Sequence, residues 1–301
     1  MMKAARTWLA GLAVLLAAGQ GAQAQLRVLD YNITTYFSQL SYSSSADGSG
    51  DNRLDYLRTV FSLMPQDGRN GVAKAPDIML FQEILPGLSQ GQTLDSIRDE
   101  AVAATGVNYQ IADIAGGGGS LRSAALYNPA TVQNVSNQSQ SLNGVRDTLI
   151  SQFRPAGYTS EADVWTLNTH YKAGNAGSYG GWSGPDEEDR ARNANGIRSW
   201  ADGNLADANV IYAGDFNIQS SLESGTSTPG NPYTIMLQAG PGQAVDPVQW
   251  DGGPDDVWAN DTDTDYTPFL SQAGEDGTVN GFNGGGLNDR YDYQLISTEM
   301  N

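Results

Sequence analysis

Five short polar motifs stand where strands would end: Asn32 in Leu29-Asp30-Tyr31-Asn32, Glu83 in Leu80-Phe81-Gln82-Glu83, His170 in Leu167-Asn168-Thr169-His170, Asp215 and Asn217 in Gly214-Asp215-Phe216-Asn217, and Asp292 in Arg290-Tyr291-Asp292-Tyr293. Each follows or sits inside a short apolar run: Arg27–Leu29, Ile78–Phe81, Val164–Leu167, Val210–Ala213 and Leu295–Ile296. Oxygen ligands and one imidazole at the ends of buried strands are what a metal-assisted site needs. Strands hold carboxylates rigidly, and the open edge of a sheet admits substrate.

The chemistry differs from motif to motif. Gly214 lets the chain turn off its strand, and Asp215 and Asn217, two apart, are expected to point the same way. A carboxylate aligns or deprotonates water, and an amide donates to a developing phosphate oxyanion. The same four residues also suit an ordinary turn. Glu83 alone reads as a solvated strand end and Asn32 alone as a turn cap. Together they offer a carboxylate and an amide oxygen to a hard cation. His170 is the only histidine. It precedes a glycine-rich loop, so it is expected to be partly accessible, able to protonate a leaving oxygen or to hydrogen-bond a phosphate.

Composition narrows the metal and the partners. There are no cysteines, which excludes thiolate chemistry, zinc–cysteine sites and iron–sulfur clusters. With one histidine, a multi-histidine site within one chain is excluded too, and oxygen ligation favours magnesium, calcium or manganese. Lys3 and Arg6 precede an apolar run from Trp8 to Ala18, and Ala22-Gln23-Ala24 fits a small-x-small cleavage site. Residues 1–24 therefore read as a secretory signal and 25–301 as one domain, exported to the periplasm or the medium. No later stretch is long and apolar enough for a membrane helix, so no stable membrane insertion is expected. The formal charge is −18, or −20 without Lys3 and Arg6, and only Lys74 and Lys172 remain as lysines. Such acidity argues against broad electrostatic binding of nucleic acid but not against a local basic strip.

The positioning elements follow from periodicity and punctuation. Apolar residues at Leu54, Leu57, Val60, Phe61 and Met64 predict a helix over 51–64, stopped by Pro65. A second is predicted over Thr93–Thr105. A third opens at Pro185 with Asp186, Glu187, Glu188 and Asp189 suiting its N-terminus and runs to Leu205. Strands are expected at Asp77–Gln82, Tyr109–Ile114, Leu121–Tyr127, Thr148–Phe153, Asp163–Asn168, Asn209–Ala213 and Asp292–Ser297. Loops are expected at Gln39–Gly50, Gly116–Gly119 and Gln243–Leu287; the alternating aspartates of Asp261–Asp265 read as a solvated loop outside the site. Helices alternate with strands, but strand-only runs also occur, so mixed sheets are expected.

In order and context these motifs resemble the endonuclease/exonuclease/phosphatase superfamily, which includes pancreatic-type deoxyribonuclease, abasic-site endonucleases, neutral sphingomyelinases and inositol polyphosphate 5-phosphatases. The resemblance runs from about Leu26 to Ser297. It is similar to secreted bacterial members at His170-Tyr171-Lys172-Ala173-Gly174 and along the acidic helix Asp186–Leu205. It implies an α/β fold of two packed mixed β-sheets flanked by helices, a four-layer sandwich, and phosphate-ester hydrolysis with Mg2+ or Mn2+. By position, it implies metal support from Asn32 and Glu83 and phosphate contact or leaving-group assistance from His170. Asp215 would align water, Asn217 would stabilise the phosphate, and Arg122 would lie near the substrate phosphate. Asp292 would orient a second histidine.

That second histidine, in a Ser-Asp-His segment beyond Ser297, is not present. The expectation is a C-terminally incomplete domain lacking its last strand. The leading reading is an exported metal-dependent phosphodiesterase acting on nucleic acid. A sphingomyelinase-like or small-phosphoester hydrolase is the rival, separable by the products released from DNA, RNA and sphingomyelin. A non-catalytic extracellular binding module is the reading from another class, and an in-frame Ser-Asp-His downstream of Asn301 would exclude it.

Overall fold

The structure is a computed structural model that describes residues 26–33, 53–66, 73–84, 94–116, 121–174, 184–218, 223–228, 230–247 and 292–300. The signal-like segment and the expected loops at Gln39–Gly50 and Asp261–Asp265 lie outside the described residues.

Two sheets form. The first has the order β1 (Val28–Asn32), β2 (Ile78–Ile84), β4 (Arg122–Tyr127), β3 (Gln110–Ile114). The second has the order β5 (Val132–Gln140), β6 (Thr148–Pro155), β7 (Val164–His170), β8 (Asn209–Asp215), β10 (Asp292–Ser297), β9 (Ala244–Val245). Each sheet contains one parallel pair, β1 with β2 and β7 with β8, and the remaining pairs are antiparallel. Helices α1 (Arg53–Leu63) and α2 (Leu94–Thr105) cover the first sheet; α3 (Pro185–Asn204) and α4 (Pro232–Leu237) cover the second.

Three buried clusters explain the layering. Met79, Phe81, Ala124 and Leu126 meet Phe61 and Ile97 from α1 and α2. Val210, Tyr212 and Leu167 meet Ala191, Ala194 and Ile197 from α3. Between the sheets, Ile78, Leu80, Leu149, Phe153, Val164, Ile211 and Ala213 fill the gap. Each Val, Leu, Ile, Phe or Met among them contributes about 1.5–3 kcal/mol on full burial.

Strand alternation then builds the site. The series Val28/Asp30/Asn32, Ile78/Leu80/Gln82, Val164/Thr166/Asn168/His170 and Ile211/Ala213/Asp215 each step along one face at the period-two spacing of a strand. Each begins apolar in the inter-sheet core and ends polar. The gap between the sheets is therefore greasy at one end and hydrogen-bonding at the other.

Most expected elements form. The strands holding Glu83, His170 and Asp215 run further than their apolar cores, to Ile84, His170 and Asp215. Three elements were not anticipated, the first being β9, a two-residue strand inside the expected loop Gln243–Leu287 that pairs with β10. β5 reads Val-Gln-Asn-Val-Ser-Asn-Gln-Ser-Gln, an edge strand mostly exposed or half-buried, with no apolar alternation to reveal it. The short α4 is started by Asn231, whose side chain accepts the Tyr233 N–H, and by Pro232. β10 is paired on one side with β8 and on the other with β9 over Ile296 and Ser297 only. Over Asp292–Leu295 it has no second partner strand among the described residues.

Candidate active site

Parallel pairing of β7 with β8 sets His170 level with Asp215, and the Tyr171 N–H donates to the Asp215 carbonyl at 2.8 Å just beyond. Asn32 ends β1 beside Gln82 of β2. Glu83 follows Gln82 but does not keep the strand alternation. The register between β2 and β4 shifts between Phe81 and Ile84, and Glu83 takes φ +62°. A non-glycine residue in the left-handed region at a bulge is a strained position that re-aims its side chain.

The result is a tight constellation. Asn32 Nδ2 donates to Asp215 Oδ2 at 2.7 Å and to Glu83 Oε1 at 3.3 Å, bridging two carboxylates from different sheets. His170 Nε2 lies 3.6 Å from Asp215 Oδ2 and 3.8 Å from Glu83 Oε1. Asp215 Oδ1 also accepts the Asn217 N–H at 2.9 Å, so this carboxylate is held from both oxygens.

Two expectations need correction. His170 is 1% exposed rather than partly accessible. Burial, and secondarily the charge of Arg146, pushes its imidazole well below the ordinary 6.5. It is neutral at physiological pH, which suits a hydrogen-bond donor or metal ligand better than a resting proton donor. Asn217 does not continue the alternation of β8. The strand stops at Asp215, Asn217 turns to φ +49°, and its Nδ2 faces the Tyr171 carbonyl at 3.5 Å. Arg122 opens β4 opposite Ile84, one residue from Glu83 along β2, and its Nε is buried with no hydrogen-bond partner. The register of β10 sets Asp292 opposite Asp215; its side chain lies outside what is described.

The residues fit a divalent cation. Glu83, His170 and Asp215 each present a ligand atom within 4.8 Å of the others. Both ring nitrogens of His170 are buried without a hydrogen-bond partner. A cation there would satisfy one of them and offset the two carboxylates, and an oxygen-rich set matches magnesium or manganese. Asn32 turns its Nδ2, not its Oδ1, toward these carboxylates, so a cation held through Oδ1 would require the amide to turn about χ2.

Other members of the site were not found from sequence. Arg146, in the loop between β5 and β6, donates from Nη1 to the Tyr171 carbonyl at 2.7 Å and to the His170 carbonyl at 3.4 Å. Burial lowers its pKa, while the nearby charges of Glu83 and Asp215 act the other way. No local pattern marks it. Behind the constellation, Gln82 Nε2 donates to Asp30 Oδ1 and to Asn168 Oδ1, both at 2.8 Å. Asn168 Nδ2 donates to the Phe81 and Ala124 carbonyls at 3.2 and 2.9 Å. The Gly214 N–H donates to Asp30 Oδ2 at 2.8 Å. Burial pushes the Asp30 carboxyl up; the bonds from Gln82 and Gly214 hold it down and Asp215 adds repulsion, leaving it at about 7. The i, i+2 spacing of Asp30 to Asn32 was the available signal for this network.

No family model and no curated protein matches the sequence. Solved structures do. The endonuclease/exonuclease/phosphatase from Bacteroides vulgatus superposes with a TM-score of 0.52 at 12% identity, covering 91% of this chain and 87% of that one. TDP2 from C. elegans gives 0.51 at 17% identity, over 96% and 70%. D. rerio TDP2 complexed with a single strand DNA product gives 0.51 at 15% identity, over 90% and 83%. These likenesses fix the fold as the two-sheet sandwich.

Proposed function

Starting from the endonuclease/exonuclease/phosphatase fold that this chain has, we propose that it is a divalent-metal-dependent phosphoric ester hydrolase, exported by its N-terminal segment and acting on phosphodiesters, with nucleic acid as the first substrate class. The observation that carries this reading is the convergence of Asn32, Glu83, His170 and Asp215 from four strands of two sheets. A bound Mg2+ or Mn2+, held by Glu83 and Asn32 with Asp215 and His170 adjacent, would supply Lewis-acid polarisation of the phosphate.

The chain's own residues do the rest. Asp215 is held through both oxygens, so its carboxylate can fix a water for in-line attack and take up its proton. His170, neutral, offers one ring N–H to a phosphate oxygen. Arg146 and Arg122 bring positive charge toward the strand ends, where a phosphate would sit. Asn217 supports the turn that holds Asp215. Asp292 would act from beside Asp215, to which β10 is registered.

One observation favours the second substrate class, a phospholipid headgroup or small phosphoester. Arg58, Lys74, Arg98, Arg154, Lys172, Arg190, Arg192 and Arg198 are all engaged with carboxylates. Among the described residues, few cations lie outside these pairs to follow a long polyanion.

The test is hydrolysis of single-stranded DNA, duplex DNA, RNA, sphingomyelin and bis-p-nitrophenyl phosphate with Mg2+, with Mn2+ and with EDTA. Metal-dependent release of product supports the reading, and the substrate turned over fastest separates the two classes. Binding of Mn2+ with no turnover of any of the five would return the chain to the non-catalytic reading.

A further inference from the structure

One carboxylate sits directly behind both acidic groups of the site. Asp30 lies on β1, two residues before Asn32. Its Oδ1 accepts the side-chain amide of Gln82, the residue before Glu83. Its Oδ2 accepts the backbone N–H of Gly214, the residue before Asp215. Asp30 and Gln82 stand on neighbouring strands of the first sheet and Gly214 on the second, so the Gly214 bond crosses the gap between the sheets while the Gln82 bond ties Asp30 to the residue before Glu83.

Each arm ends on a point with little freedom of its own. Gln82 is fully buried and is also anchored through Asn168 to the Phe81 and Ala124 carbonyls. Gly214 has φ +134°, and a Cβ there would stand 1.9 Å from the Thr169 carbonyl oxygen. The backbone before Asp215 is thus clasped between Thr169 on one side and Asp30 on the other. Asp30 is the one group among the described residues that hydrogen-bonds to both chain positions immediately preceding the two acids.

We propose that Asp30 is a positioning residue, a strut whose two hydrogen bonds set the separation of the Glu83 and Asp215 carboxylates and so tune the affinity of the site for a divalent cation. The inference rests on the metal reading above. Both partners of Asp30 are donors, so only a group accepting through two oxygens serves both arms. An amide of the same shape must turn its NH2 toward either Gln82 or Gly214, and one arm is lost.

The experiment measures Mn2+ binding directly by calorimetry on the full chain, for wild type, Asp30→Asn and Gln82→Met, with circular dichroism as the check on folding. Asp30→Asn is expected to weaken Mn2+ binding about 10- to 100-fold, the range for partners that orient metal ligands. Gln82→Met cuts the arm behind Glu83, together with the Gln82–Asn168 bond, and leaves the Gly214 arm in place; it is expected to weaken binding in the same direction and carries the test if Asp30→Asn does not fold. In turnover of bis-p-nitrophenyl phosphate, the half-saturating Mn2+ concentration should rise while kcat at saturating Mn2+ changes little. Wild-type binding with unchanged affinity in the folded variants overturns the strut alone. Absence of Mn2+ binding by wild type overturns the metal reading, and the strut with it.

Discussion

Glu83 and Arg146 show how far single residues depend on their backbone. Glu83 reaches the site because a bulge puts it at φ +62°, outside the alternation that its neighbours obey. Glu83→Gln keeps that shape and removes the charge. It should therefore weaken Mn2+ binding strongly while leaving the thermal unfolding midpoint of the metal-free protein nearly unchanged; an unaltered metal titration would remove Glu83 from the ligand set. Arg146 is placed instead by its hydrogen bonds to the carbonyls of His170 and Tyr171. Arg146→Met should lower kcat by about 100-fold or more, as for loss of a donor aimed at developing charge. A change confined to stability, with kcat intact, would make Arg146 a strand-end brace only. The sequence disclosed Glu83 through its apolar strand, whereas Arg146 lies in a bend with no period to reveal it.

At the scale of elements, α3 organises the approach to the site. Gly196 gives the Leu142 carbonyl room that a Cβ would close to 2.2 Å, and Asn193 Nδ2 donates to that same carbonyl at 3.0 Å. The loop carrying Arg146 is thereby seated on the helix. At the helix start, Glu188 accepts from the Ser227 N–H at 2.7 Å and from the Thr228 hydroxyl and N–H at 2.8 and 3.1 Å. Partial burial alone would raise its pKa, but these bonds outweigh burial and hold it at about 2 against an ordinary 4.5. A depressed acid stabilises the fold above its unfolded value, and that contribution is lost as pH falls through the folded one. The midpoint difference between wild type and Glu188→Gln should accordingly be full above pH 4.5 and shrink toward pH 2; a difference independent of pH would refute the clasp. The helices, and the strands with apolar cores, were legible because burial writes a period into the chain. β5 and α4 were not: one is a polar edge strand, the other too short to show a period. The β2 bulge was hidden for another reason, since nothing in Phe81-Gln82-Glu83-Ile84 announces a register shift.

For the molecule as a whole, charge and layering pull in different directions. The chain carries 34 acidic against 16 basic residues, yet the inter-sheet gap closes around two carboxylates and an imidazole placed so that they could hold a cation. If one phosphate is gripped, log(kcat/KM) plotted against log salt should fall with a slope of about −0.7 to −0.9. A slope several times steeper, measured on DNA, would mean that a run of phosphates is engaged and would favour a polynucleotide. The meeting of Asn32, Glu83, His170 and Asp215 was legible because each follows an apolar run in its strand, whereas Asp292 opens β10 ahead of Leu295 and Ile296. Their mutual distances were not, because the two sheets meet only through tertiary packing.

The solitary imidazole has a practical consequence. His170 is the only histidine in the chain and stands beside both carboxylates. Its ring C–H protons therefore give a self-assigned pair of magnetic resonance signals from the middle of the site, needing no labelling and no mutagenesis. Paramagnetic Mn2+ bound there would broaden both beyond detection while diamagnetic Mg2+ would only shift them, so occupancy can be followed in the native protein before any substrate is known.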